Sequence, residues 1–188
     1  MSLRHILFPL LLITSLPSHG SNIDDLLNPI YDQFVDAYQT LNADPLVARY
    51  SNDACMMGVS EREGFYEGRE AIREAYQRWF DKVRQREATI DIRFRVVNRT
   101  LRGDMATDAG YYLIRYQPNQ ENEKPASEFA GKFIMNFHRE SDDYWSVSVD
   151  SATRVKTELF TDAKPQPGLY FAPTFETMAV TPNHETTQ

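Results

Sequence analysis

The spacing of apolar residues changes once along this chain, near Ala88, and that change decides the class of fold it can reach. Before it, Leu27, Ile30, Tyr31, Phe34, Tyr38 and Leu41 recur at three- and four-residue steps, which predicts an amphipathic helix over residues 24–41. Asp24 and Asp25 sit where carboxylates favour a helix N-terminus. Pro45 suits the first turn of a second, short helix behind an Asp44 cap, ending at Ala48-Arg49-Tyr50. Ile72, Tyr76, Trp79, Phe80 and Val83 mark a third helix over about residues 69–86, with Arg73, Glu74, Arg78 and Asp81 on its solvated face. After Ala88 the period is two: Ile90, Ile92, Phe94 and Val96 alternate with Asp91, Arg93 and Arg95, as in a half-buried strand. Further strands follow over 105–116, 128–139 and 144–151, separated by Arg102-Gly103-Asp104, a polar loop over 118–124 and Ser141-Asp142-Asp143. With the apolar run Cys55-Met56-Met57-Gly58-Val59 as a first strand, the order is ααβαββββ. This is an α+β fold: three N-terminal helices packed on a curved, mostly antiparallel sheet.

Residues 1–20 stand apart from that pattern. Arg4 and His5 precede a mostly apolar run from Ile6 to Leu16, and Ser18-His19-Gly20 ends in small residues, which predicts a secretory signal peptide and a periplasmic or secreted product. Removing it takes away Arg4 alone among the fixed charges, moving the formal balance from −7 to −8. Such an acidic surface repels phosphates and anionic lipid, so neither nucleic acid nor membrane is an expected partner after signal removal. Cys55 is the single cysteine, and its apolar surroundings suit a buried small hydrophobe. Residues 21–155 form the expected domain. Residues 156–188 are an extension in which Leu169, Tyr170, Phe171 and Phe175 can dock as a strap, a lid or an arm, and in which residues 181–188 are expected to be disordered.

The segment Tyr31 to Phe80, with Ser51-Asn52-Asp53-Ala54 and Gly68-Arg69-Glu70-Ala71-Ile72 at its centre, resembles the nuclear transport factor 2-like superfamily. Its members are cone-shaped α+β barrels that include ketosteroid isomerases and SnoaL-like cyclases. The resemblance implies one deep pocket and a homodimer, but function lives in the site and not in the fold. In the isomerases an aspartate base works with a tyrosine and a protonated aspartic acid. The corresponding positions here are Phe34, Gly58 and, near enough, Met135, so ketosteroid isomerase activity is not expected. The pocket is expected to be lined by Phe34, Tyr38, Met56, Gly58, Tyr112, Met135 and Trp145, a lining suited to a small apolar molecule.

Two carboxylates are candidate catalytic groups. Asp108 shares the pocket-facing parity of Ala106, Gly110, Tyr112, Ile114 and Tyr116, and could act as a general base or pair with a surface Arg. Asp150 ends the Trp145-Val147-Val149 strand; its ordinary reading is an ion pair with Arg154, its functional one a pocket-mouth acid or base. His138 has the parity of Lys132 and Asn136 and is expected to face away from the pocket. No glycine-rich phosphate loop, nucleophile elbow or zinc spacing occurs, so neither cofactor nor metal is expected. The favoured expectation is an exported binder of a small apolar molecule. Its rivals are a SnoaL-like hydrolase, cyclase or dehydratase with a pocket Asp as base, and a structural or dimer-assembly module.

Overall fold

The computed structural model describes residues 22–60, 62–119, 125–141 and 143–176; the expected signal peptide, the tip of the 118–124 loop and the expected disordered tail lie outside them. Helix α1 spans Ile23–Thr40, opened by Asn22, whose side chain accepts from the Asp24 N–H. It buries Leu27, Ile30, Tyr31, Phe34, Ala37 and Tyr38, the predicted stripe. Helix α2 is one turn, Asp44–Val47. Here the expected cap moves: Ala43 occupies the N-cap, and Asp44 lies inside the helix with its own N–H held by Asn42 Oδ1. Helix α3, Arg69–Gln85, buries Ile72, Phe80 and Val83.

Six strands form one sheet in the order β2-β1-β6-β5-β4-β3, with β1 Tyr50–Met57, β2 Phe65–Glu67, β3 Thr89–Arg102, β4 Met105–Gln117, β5 Ser127–Ser141 and β6 Tyr144–Val155. Strands β3 to β6 form the expected antiparallel meander, and β1 joins it in parallel against β6. Gly103 turns β3 into β4 at φ 58°, a conformation that favours glycine. Register shifts at Val96/Asn98 in β3, Asn136/Phe137 in β5 and Tyr50/Cys55 in β1 bend the sheet around α1 and α3. The α+β architecture thus agrees with expectation, apart from two short elements. Strand β2 has three residues, too few to show a period. Helix α4, Thr157–Thr161, lies where only an irregular extension was expected.

The extension is a strap over the domain's own surface. Phe160 of α4 is fully buried, packing with Leu113 and Ala130 on the outer face of the sheet. Residues 170–172 then run antiparallel to β3: the Val96 N–H bonds Tyr170 O and the Ala172 N–H bonds Phe94 O. The Tyr170 hydroxyl donates to Asp32 on α1, and Asn28 donates to Gly168 O. Arg95 is the fastener. Buried to 6 % exposure, it donates to the carbonyls of Ala172, Phe160 and Thr161, and its guanidinium lies 4.3 Å from the ring centres of both Phe160 and Phe171. Bonds from a charged donor to buried acceptors are among the stronger ones in proteins. Arg95→Ala is therefore expected to cost about 2–3 kcal/mol and to speed amide hydrogen exchange at Val96 and Ala172. Unchanged protection at both amides would refute the fastening role.

Candidate functional site

The concave face of the sheet and the helices α1 and α3 enclose a cavity of about 270 Å³. Helix α1 contributes Phe34 and Tyr38, and α3 contributes Tyr76 and Trp79. From the sheet come Met56 of β1, Phe94 of β3, Tyr112 of β4, Phe133 and Met135 of β5, and Asp150 and Arg154 of β6. The aromatic rings pack on one another: Tyr38 lies edge-on to Trp79 and Phe80 at 5.0 and 5.4 Å, and Phe34 edge-on to Phe94 at 5.7 Å. Gly58 and Ser60 lie where the lining continues into the loop after β1. Six of the seven expected lining residues are therefore in the wall. The exception is Trp145, which is buried beside Arg139, with the guanidinium 5.1 Å from its ring, and does not line the cavity. It packs in the same core as the cavity residues, but opposite Arg139 near the β5–β6 turn, beyond the part of β6 from Asp150 to Arg154 that reaches the cavity.

The two candidate carboxylates occupy one rung of the sheet, with Asp108 opposite Met135 and Met135 opposite Asp150. Two strand spacings, roughly 10 Å, separate them, and their surroundings differ completely. Asp108 is fully buried outside the cavity lining. Arg99 Nε and one terminal nitrogen each reach it at 2.7 Å, the Tyr31 hydroxyl donates at 2.7 Å, and Arg99 continues to Asp24 at 2.9 Å. Of the two readings of Asp108, the pairing with an Arg is the one formed: the ion pair with Arg99 and the Tyr31 hydrogen bond tie β3, β4 and α1 together. The pairing follows from the bulge at Val96/Asn98, which turns Arg99 to the same side as Asp108.

Asp150 lines the cavity at 7 % exposure with no cation at salt-bridge distance among the described residues, so the expected Arg154 pair does not form. The Tyr50 hydroxyl donates to Oδ2 at 2.6 Å and lies 3.2 Å from the Tyr76 hydroxyl. Burial raises the Asp150 pKa to about 6, although the Tyr50 hydrogen bond acts in the opposite direction. Among the described residues Oδ1 has no hydrogen-bond partner, which leaves it available to a ligand. The tyrosines around it hold their protons firmly. Burial, first, and then the Asp150 charge push Tyr50 and Tyr76 well above the usual phenol value; burial raises Tyr38 likewise. Burial lifts Tyr112 to about 12. At neutral pH these hydroxyls are donors, while Asp150 changes charge close to neutrality.

Tyr50 and Tyr76 are the site residues that the sequence reading missed. Tyr50 looks like the end of helix 2, yet it opens β1, and the register shift between Tyr50 and Cys55 hides its inward parity. Tyr76 is on the apolar stripe of α3, where a core role and a site role look alike. His138 faces away from the cavity as expected, exposed and 3.8 Å from Glu140. Among the described residues no three His, Cys, Asp or Glu side chains converge as a metal ion would require.

Comparison with known proteins agrees with this fold. The family model of the SnoaL-like domain matches residues 27–140. No curated protein matches the sequence significantly. Similar solved structures include ActVI-ORFA from Streptomyces coelicolor, at 12 % identity and TM-score 0.59, covering 71 % of this chain and 98 % of that one. An NTF2-like protein with a cystatin-like fold from Novosphingobium aromaticivorans superposes at 12 % identity and TM-score 0.57, covering 70 % and 80 % of the two chains. A ketosteroid isomerase-like protein from Erwinia carotovora atroseptica does so at 11 % and 0.56, covering 72 % and 98 %. At these identities the likeness concerns the fold.

Proposed function

The chain belongs to the SnoaL-like domain family, and on that premise we propose that it is an acid–base enzyme acting on a small, largely apolar molecule, with Asp150 moving the proton. One observation carries the reading: a buried, cavity-lining carboxylate with no cation at salt-bridge distance among the described residues, a setting that pushes its pKa up to about 6. A general base works best when its pKa lies near the operating pH. In the proposed reaction Asp150 Oδ1 takes a proton from a carbon beside a carbonyl group, or from a hydroxyl, and later returns it to the substrate. Tyr50 holds Oδ2 and so fixes the carboxylate plane. Tyr38, whose hydroxyl has no protein hydrogen-bond partner among the described residues, would donate to an oxyanion as it develops. Such steps suit cyclisation, dehydration or isomerisation. A carrier would share the cavity, but apolar binding alone gives no role to a buried carboxylate.

A surrogate substrate tests this without knowledge of the natural one. The ring of 5-nitrobenzisoxazole opens when a base removes its C–H proton: the N–O bond breaks and a cyanophenolate leaves. We expect saturable turnover that rises with pH through an apparent pKa near 6. A rate no greater than that of buffer alone would reject Asp150 as an accessible base.

Export and pairing belong to the same proposal. Export is supported by the leader-like residues 1–20, and a homodimer by the resemblance together with the half-exposed Ile134 and Val149 on the outer sheet face. Sedimentation velocity reads the pairing directly, and a monomer at tens of micromolar would remove it.

A further inference from the structure

The cavity has a polar end besides Asp150. Arg154 lies four residues beyond Asp150 on β6, so both point to the concave side, roughly 13 Å apart along the strand. Its guanidinium lies 4.5 Å from the ring centre of Phe129. No carboxylate among the described residues pairs with it. The carboxylate that shares the cavity lining, Glu63, is already engaged by the Ser60 N–H at 3.0 Å and the Tyr66 hydroxyl at 3.2 Å. Tyr112 approaches from the other side. It sits opposite Gly131, which is opposite Arg154, and its ring end occupies the space that a Cβ on Gly131 would fill. Glycine there lets Tyr112 lean across β5 toward β6, where the Arg154 charge acts on its hydroxyl.

We propose that Arg154 and the Tyr112 hydroxyl form an anion clamp toward the cavity mouth, so that the ligand is a mainly apolar molecule of about two fused rings carrying one carboxylate or similar oxyanion. The clamp rests on the reading of this cavity as the ligand site. Size follows from volume: a dry apolar cavity of about 150 Å³ takes one benzene ring, and this one measures about 270 Å³. Orientation follows from charge. The clamp holds the anion at the mouth, and an ionised Asp150 repels a second negative group from the deep end, which leaves the uncharged portion of the ligand beside the base.

The test compares 2-naphthoate with its neutral analogue 2-naphthamide by titration calorimetry at pH 7.5. Naphthoate is expected to bind about ten-fold more tightly, within the range of a charge-assisted hydrogen bond. Arg154→Gln should equalise the two probes, Arg154→Lys should keep most of the preference, and Tyr112→Phe should reduce it. Arg102→Gln, which removes the same charge at the distant β3–β4 turn, should leave it intact. Equal binding of both probes to the unmodified protein, or a preference that survives Arg154→Gln, would overturn the clamp and leave the cavity as a binding site. If neither probe binds, the cavity reading falls, and the clamp with it.

Discussion

Asp150→Asn is expected to lower turnover of a base-sensitive probe by about 10²–10⁴-fold while making the protein more stable above pH 6. The two effects have one cause. The Asp150 carboxyl holds its proton up to about pH 6 in the folded state, against an ordinary value of 3.8. Below 3.8 it is neutral in both folded and unfolded chains and costs nothing. Between 3.8 and 6 the unfolded chain ionises first, so stability falls as pH rises, and above 6 the folded protein carries a constant penalty of about 3 kcal/mol. Asparagine has nearly the same shape, can still accept from Tyr50, and carries no charge to desolvate. Its melting temperature should exceed that of the parent by several degrees at pH 7.5 and match it near pH 3.5. A variant equally active, or less stable at pH 7.5, would contradict this account. The penalty is what a site with an unpaired base looks like thermodynamically: stability is given up where chemistry requires a group that folding alone would exclude.

Asp108→Ala should do the opposite, unfolding the protein with little bearing on chemistry. Arg99, with its side chain 4 % exposed, would lose two close hydrogen bonds and retain only Asp24. The buried Tyr31 hydroxyl would lose its acceptor. Breaking a buried pair by removing one partner costs about 3–5 kcal/mol, chiefly because a charge is left uncompensated. Urea unfolding measures this directly. Replacing both charges with apolar groups of similar volume, Asp108→Leu with Arg99→Met, should recover much of the loss. The milder Asp108→Asn should keep its turnover on 5-nitrobenzisoxazole, since Asp108 does not line the cavity. An activity loss comparable to that of Asp150→Asn would assign Asp108 a role in the reaction.

The contrast between these carboxylates shows what was legible in the chain and what was not. Helix α1 and the meander β3–β6 announce themselves because each buries one face over many residues, and a long period survives local irregularity. Cavity-lining residues such as Phe34, Tyr38, Met56, Tyr112 and Met135 follow from the same periods together with the family resemblance. Parity placed Asp108 on the concave face, where it is found, but not Asp150, which is out of step with Trp145, Val147 and Val149 and reaches that face through the register shift against β5. It could not tell which is neutralised by a cation. That depends on one bulge in β3, which brings Arg99 beside Asp108, and on the absence of any bend bringing Arg154 back to Asp150. Tyr50 was hidden by a comparable shift in β1. On the family resemblance, the positions that carry proton transfer in ketosteroid isomerases correspond to apolar or empty ones here, while the cavity has a carboxylate of its own. It comes from β6, held by a tyrosine from β1. Single-residue register shifts are worth little in sequence signal and nearly everything in site chemistry.

The most direct measurement is the titration of the Asp150 carboxyl carbon by nuclear magnetic resonance, with aspartate labelled at that carbon and the signal assigned by its loss in Asp150→Asn. A midpoint near pH 6, moving upward in Tyr50→Phe as the hydrogen bond to the charged form is lost, is the predicted result. A midpoint at or below 4 would mean a carboxylate that is well solvated or paired, and the acid–base reading of this cavity would not stand.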